Sequence, residues 1–144
     1  MTPIEIGFPH QPGLLMQRGP TVPVRVGVGC DAADGADASE HFALIDTGAQ
    51  NNWIDDEFAR AIGLMPFGYL QVSGVGGYFE TETFTAHAYI PVLDYTVTGR
   101  FIGANLLSAG QPHAVILGRE FLASFTMTYD GGTGTVTLER PAPS

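Results

Sequence analysis

The sequence predicts a small all-β protein, a closed barrel that carries one or two short helices. Three observations predict this class. Apolar and polar residues alternate over several short runs, which is the pattern of half-buried strands. Glycine accounts for 19 of the 144 residues, enough to supply many tight turns. That length allows one domain with a real core, but not two homologous lobes.

The predicted strands follow one another along the chain. The first pair is Thr21 to Gly29 and His41 to Asp46, joined by a small acidic loop, Asp31 to Ser39. The clearest alternation places one apolar set on the inner face of a strand at 83–90: Phe84, Ala86, Ala88 and Ile90. Further strands are expected at 95–102, 125–129 and 135–139.

The remaining segments flank or interrupt the strands. Residues 1–20 carry four prolines and little periodicity, so we expect an N-terminal arm outside the core. Residues 21–139 form the domain, and 140–144 form a loose tail. The spacing at 52–64 predicts a short helix, capped by Asp55 and ended at Gly63. Its inner face would carry Ile54, Phe58, Ala61 and Ile62.

The residues best suited to chemistry lie at 43–49, where Asp46 ends an apolar strand and Thr47 and Gly48 follow. An Asp at the end of a buried strand needs a partner for its carboxylate. The Thr hydroxyl can fix the local backbone, and a glycine lets a second backbone approach closely. The three residues fit a paired-carboxylate site, although Asp-x-Gly alone is also a common turn.

Two further motifs lie downstream. Val72 to Phe79 is a glycine-dense hairpin tip between strand-like runs, although a plain surface turn would have the same pattern. Val115 to Leu122 is a short apolar strand that passes through Gly118 and Arg119 into a helix. In this order, the three motifs resemble those of the retropepsin-like, single-domain aspartic proteases of retroviral type. The resemblance extends over 22–139.

The resemblance implies an aspartic endopeptidase whose small acid-protease barrel is one half of a symmetric homodimer. The chain has no second Asp-Thr-Gly or Asp-Ser-Gly, so the second carboxylate would come from another copy. Two Asp46 side chains would share a proton and activate water for hydrolysis of a peptide bond, as in aspartic proteases generally. Thr47 would bond across the interface, and Gly48 with Ala49 would lie along the substrate backbone.

The other expected site residues also come from the resemblance. A mobile flap at 73–79 would close over a protein or peptide substrate, which it would contact through Ser73, Gly74, Val75, Gly76 and Gly77. Gln50, Ala114 and Ile116 would line the substrate pockets. Gly118 and Arg119 would support the catalytic loop from beneath. Retroviral enzymes often carry an acidic residue that pairs with this Arg, whereas here Gln50 and Asn51 follow Ala49.

Charge and composition exclude other classes of partner. Six Lys and Arg stand against fifteen Asp and Glu, a net charge of −9, which argues against nucleic acid and anionic membranes. No apolar stretch is long enough for a membrane span, and residues 1–20 lack the pattern of a signal peptide, so a cytoplasmic location is expected.

No cofactor or metal is expected. The four histidines lack ligand spacing, and Asp31, Asp34 and Asp37 are spaced by three rather than by the two of a calcium loop. Cys30 is the single cysteine and cannot form an internal disulfide.

One alternative keeps the barrel and the aspartate but not the activity. The chain would then be a catalytically weak or inert dimeric module that binds peptides or serves as a scaffold. The dyad distinguishes the two, because an inert module has no reason to hold two carboxylates within hydrogen-bonding distance.

Overall fold

A computed structural model describes residues 2–27, 40–74 and 76–140 of the chain. Several expectations therefore fall outside the described residues: the acidic loop at 31–39, Cys30, Val75, and positions 141–144 of the tail. The structure contains one chain, so the symmetric dimer stays a prediction.

The described residues form ten strands and three short α-helices. In chain order, the elements are β1 Ile4–Gly7, α1 Pro12–Arg18, β2 Thr21–Gly27, β3 His41–Ile45, β4 Trp53–Asp55, α2 Asp56–Ala61, β5 Met65–Gly74, β6 Gly77–Ile90, a 3-10 turn Pro91–Leu93, β7 Tyr95–Ala104, β8 Val115–Leu117, α3 Arg119–Leu122, β9 Thr126–Asp130 and β10 Thr135–Glu139. No helix in the described part of the chain is long and apolar enough to cross a membrane.

The larger sheet confirms the predicted closed barrel. Its strand order is β2-β3-β8-β4-β7-β6-β5, and β2 also pairs with β6, which closes six of the strands into a ring and leaves β5 at an edge. The pair β3 and β8 is parallel, with Ile45 opposite Leu117. Because both strands end at the same rim, Asp46 and Gly118 leave the barrel side by side.

The core follows the predicted alternation in β6. Phe84, Ala86, Ala88 and Ile90 are all 0% exposed. The same alternation places Thr83 on the outer face, but Thr83 is also buried, at 0% exposure. Its hydroxyl donates to the Gly68 carbonyl at 3.1 Å and accepts from the Arg100 Nε–H at 2.9 Å, so burial leaves its polar group satisfied.

The N-terminal segment differs from the expected arm. Strand β1 pairs antiparallel with β10, which also pairs with β9, and Ile6 and Leu15 are 6% and 1% exposed. Residues 4–18 are therefore part of the packed domain. The prolines are compatible with a packed segment, because they lie outside the strands. Pro12 lies in the first turn of α1, where a proline is tolerated.

The predicted helix at 52–64 is shorter than expected. Trp53–Asp55 is a strand, because its backbone pairs with β7 in parallel and with β8 in antiparallel register. The helix begins at Asp56, and Asp55 is its N-cap, as predicted, with Oδ2 accepting from the Phe58 amide at 2.9 Å. Of the predicted face, Phe58 and Ile62 pack against the core, whereas Ala61 is exposed and Ala59 is buried instead.

Candidate active site

Asp46 lies at the rim of the barrel in a tight turn. Its backbone N–H donates to the Leu117 carbonyl at 2.9 Å, which continues the pairing of β3 with β8. Its Oδ1 accepts from the Gly48 N–H at 2.8 Å, and its carbonyl accepts from the Ala49 N–H at 3.2 Å. A Cβ on residue 48 would lie 3.1 Å from the same Oδ1, which explains the glycine there. These bonds therefore hold the half-buried Asp46 carboxylate in one orientation.

Gly118 supports this turn from beneath. A Cβ on residue 118 would collide with the Asn51 carbonyl oxygen and would lie 2.7 Å from the Ala49 carbonyl oxygen. Its N–H donates to Oδ1 of the buried Asn52 at 2.9 Å. Only a glycine lets the chain between β8 and α3 pass this close to the turn.

The start of α3 binds the carbonyl groups of the turn. The N–H groups of Arg119 and Glu120 donate to the carbonyls of Ala49 and Gln50 at 2.8 and 3.0 Å. The Arg119 guanidinium donates to the Thr47 carbonyl at 2.7 Å. Arg119 thus binds the turn through a backbone carbonyl.

A cavity of about 540 Å³ opens above the turn. The turn contributes Asp46, Gly48, Ala49, Gln50 and Asn51, strand β5 contributes Leu70, Gln71, Val72 and Ser73, and the remaining wall is formed by Trp53, Ala104, Leu106 and Ile116. Asp46 is the single ionisable side chain among these lining residues. The cavity therefore presents one carboxylate in otherwise neutral surroundings, with amide and apolar side chains.

The β5–β6 hairpin forms the roof on one side. The pairing continues to the tip, where Ser73 lies opposite Tyr78 and Gly74 lies opposite Gly77. Gly77 has a φ of +105°, a backbone conformation that residues other than glycine rarely adopt. The predicted hairpin is therefore present.

Six of the residues expected in the site line the cavity: Asp46, Gly48, Ala49, Gln50, Ser73 and Ile116. Thr47, Gly76 and Gly77 are not among its lining residues, and Val75 lies outside the described chain. Gly74 contributes its backbone pairing to the hairpin.

Ala114 is not a pocket wall, contrary to expectation. It is 1% exposed, its N–H donates to the Phe42 carbonyl at 3.0 Å, and its carbonyl accepts from the Asp55 N–H at 2.8 Å. These two bonds hold Ala114 inside the sheet, below the cavity surface.

Sequence reasoning missed several lining residues. Leu70 and Val72 could have been found from the alternation of β5, which places them on one face. Asn51 and Trp53 follow the turn directly, within reach of its rim. Ala104 and Leu106 carry no such local signal, because only the pairing of β4 with β7 brings that segment to the turn.

Asp55 is a second carboxylate near the cavity, and it is buried at 2% exposure. Burial by itself would raise its pKa, but hydrogen bonds from the backbone amides of Phe58, Leu107 and Leu106 outweigh this effect and lower the pKa. Asp55 therefore stays ionised as an acceptor of backbone hydrogen bonds, whereas Asp46 has an open face toward the cavity.

Solved structures of other proteins are similar to this chain in fold. No family model matches the sequence, and no curated protein matches it. A foamy viral protease-reverse transcriptase, solved with an RNA/DNA hybrid, is similar with a TM-score of 0.51 and 17% identity. The match covers 74% of this chain and 12% of that longer chain.

Two retroviral proteases are also similar, with lower scores. The protease of EIAV has a TM-score of 0.48 and 21% identity, covering 72% of this chain and 85% of that one. The protease of simian foamy virus (mac) has a TM-score of 0.49 and 9% identity, covering 72% and 91%. The first superposition, at 0.51, establishes a likeness of fold. The chain therefore has the retropepsin-like, retroviral-protease fold that its three motifs predicted.

Proposed function

We propose that the chain is an aspartic endopeptidase that acts as a homodimer, with one Asp46 from each copy in a shared active site. One observation carries the proposal: among the residues that the structure describes, Asp46 is the single ionisable side chain lining a cavity of about 540 Å³. Hydrogen bonds from Gly48, and from α3 to the turn, fix its position. A carboxylate fixed in this way and left open to a cleft is suited to acid–base chemistry.

The chemistry requires the second copy. Two carboxylates brought together across a two-fold axis repel when both are ionised, so they share one proton. The ionised carboxylate accepts a proton from a water molecule held between them, while the protonated one donates to the oxygen of the scissile carbonyl. The water oxygen attacks the carbonyl carbon without a covalent enzyme intermediate. The C–N bond then breaks as the carboxyl group that took the proton from water gives it to the amide nitrogen, which leaves as an amine. Thr47 hydrogen-bonds across the interface and aligns the two turns.

The substrate is an extended peptide lying between the turn and the β5–β6 hairpin. A volume of about 540 Å³ lies within the range of roughly 300–1,000 Å³ that is usual for ligand sites. Backbone groups of the hairpin and of the turn bind the peptide as an added strand, and the flap closes over it. The cytoplasmic location expected from the sequence stays part of this proposal.

The test is cleavage of a denatured protein and of a fluorogenic peptide mixture at mildly acid pH, with and without pepstatin. We expect cleavage that pepstatin inhibits and that weakens in alkaline buffer, where both carboxylates are charged. Sedimentation measured in the same buffers gives the oligomeric state. Cleavage that is strongest in clearly alkaline buffer would contradict a shared proton.

One variant tests the role of Asp46 in cleavage, and a second variant is its control. Asp46→Asn is expected to keep the fold and abolish cleavage, because an amide cannot take up the proton. Asp94→Asn is the matched control: Asp94 is exposed, away from the cavity and in a left-handed conformation that Asn tolerates. Full binding of peptides without cleavage by the wild type, measured through the fluorescence of Trp53 in the cavity wall, would favour the inert binding module instead.

A further inference from the structure

The loop at 105–114 forms part of the cavity wall and is hydrogen-bonded to the barrel at both of its ends. This loop connects β7 to β8, and its Leu106 lines the cavity between Ala104 of β7 and Ile116 of β8. Its internal bonds are turns of its own backbone, such as the Gln111 N–H to the Leu106 carbonyl at 3.0 Å. The position of Leu106 therefore depends on how the loop is held at its ends.

Asp55 holds both ends. Its Oδ1 accepts from the N–H groups of Leu106 and Leu107, each at 2.9 Å, at the start of the loop. Its backbone N–H donates to the Ala114 carbonyl at 2.8 Å, at the end of the loop. Its other oxygen, Oδ2, caps α2 through the Phe58 amide.

Hydrogen bonds to a buried charge are stronger than those between neutral groups, and they are directional. The carboxylate does not line the cavity, so its effect on a ligand passes through the loop. Glu57, on the same helix, also contacts the loop, but through a bond of 3.4 Å between its exposed carboxylate and the Ser108 hydroxyl. At the start of the loop, next to Leu106, the strong attachment is thus at Asp55. The far end is also held by the Ala114 N–H, which donates to the Phe42 carbonyl at 3.0 Å, and by the 3.0 Å contact of His113 Nε2 with the Thr21 hydroxyl.

We propose that Asp55 is a positioning residue that sets substrate selectivity: it holds the 105–114 loop so that Leu106 forms an apolar subsite of the cavity. The inference rests on the proposed function for the nature of the ligand, a peptide. The subsite would favour a large apolar side chain over a small one at one position of that peptide.

The first experiment needs no catalysis. Asp55→Ser keeps a good N-cap for α2, because serine can accept from the Phe58 amide, but its side chain is too short to reach the loop as well. Amide hydrogen exchange should show protection of Leu106 and Leu107 falling by about tenfold or more, while the amides of Ala86 and Ala88 in β6 change little. Glu57→Gln is the matched control and should leave all four amides unchanged.

The second experiment measures selectivity in an Asp46→Asn background, so that peptides bind without being cleaved. Peptides carrying Leu or Ala at each position in turn are titrated, with the fluorescence of Trp53 as the signal. Leu106→Ala identifies the position that contacts the loop, where the preference for Leu over Ala should fall by roughly tenfold. Asp55→Ser should lower the preference at that same position, and the double variant should show little further loss.

The outcomes are distinct. Equal loss of protection in the loop and in β6, or weaker affinity for every peptide with an unchanged Leu/Ala ratio, would make Asp55 a stabilising residue alone and overturn the inference. If the parent protein binds no peptide, the proposed function fails, and the exchange experiment still decides whether Asp55 holds the loop.

Discussion

Gly118→Ala tests whether the close packing beneath the Asp46 turn is required for the proposed activity. Gly118 has a φ of −94° and a ψ of −163°, values that alanine also adopts, so the substitution adds no backbone strain. The new methyl group would instead meet the backbone carbonyl oxygens of Asn51 and Ala49. Backbone atoms cannot rotate away, so the turn itself must move.

The structure sets the size of the movement. The methyl carbon would lie 2.7 Å from the Ala49 oxygen, which must retreat by about 0.7 Å to reach an ordinary contact of 3.4 Å. That retreat strains the bond from the Arg119 N–H to the same oxygen, now 2.8 Å long. Overpacking of this kind costs about 1–3 kcal/mol, which lowers the melting temperature by roughly 3–10 °C in a protein of this size. Because the Ala49 N–H donates to the Asp46 carbonyl, the shift is passed on to Asp46, and we expect a misplacement approaching 1 Å there to lower kcat/KM by about 100-fold.

The assays are thermal unfolding by circular dichroism and kcat/KM on a fluorogenic peptide, measured well below the melting temperature. Gly13→Ala in α1 is the matched control, because a Cβ there meets nothing within 4 Å. It should leave activity unchanged and stabilise the helix by roughly 0.5–1 kcal/mol. Wild-type kcat/KM and an unchanged melting temperature in Gly118→Ala would refute the reasoning, since the turn would then accommodate the methyl group freely.

Three further predictions follow from individual residues. Gly77→Val should lower turnover while the circular-dichroism spectrum is retained, because φ is +105° at Gly77. Gly76→Val, in the same flap but with open space and an ordinary φ, should lower turnover less. At pH values above 3.8, the ordinary pKa of an Asp side chain, Asp55→Asn should destabilise the protein. The difference from wild type should shrink as pH falls through the lower folded pKa, where Asp55 itself becomes protonated, as measured by urea unfolding. An excess of Asp46→Asn, mixed with wild type under conditions where subunits exchange, should reduce activity beyond simple dilution.

Each prediction has an outcome that contradicts it. Equal turnover in the Gly76 and Gly77 variants and wild type would reduce the hairpin tip to an ordinary turn. If the difference in unfolding free energy between wild type and Asp55→Asn stays constant down to pH 2, ionisation of Asp55 contributes nothing to folding. Activity that falls only in proportion to dilution, with exchange confirmed by native mass spectrometry, would point to independent sites in single chains.

Local pattern determined much of the secondary structure. The strands at 83–90 and 135–139, the hairpin around 72–79 and the strand-to-helix passage through Gly118 were all predicted, because alternation and turn glycines act over a few residues. The same is true of the cap at Asp55, which needs only the amide three positions later. The aspartate at the centre of the candidate site could likewise be recognised from its immediate neighbours.

Long-range pairing decided what the sequence could not. Trp53 and Ile54 fit a helical face as well as a strand, and their position between β7 and β8 selected the strand, because each neighbour satisfies their backbone groups. The N-terminal segment joined the domain for a similar reason, since β10 offered an unpaired edge to β1. Leu106 lines the cavity because the pairing of β4 with β7 brings its segment to the turn, where its N–H donates to a carboxylate 51 residues earlier in the chain. Sequence periodicity records which face of an element is apolar, whereas the partner of that face depends on closure of the whole barrel.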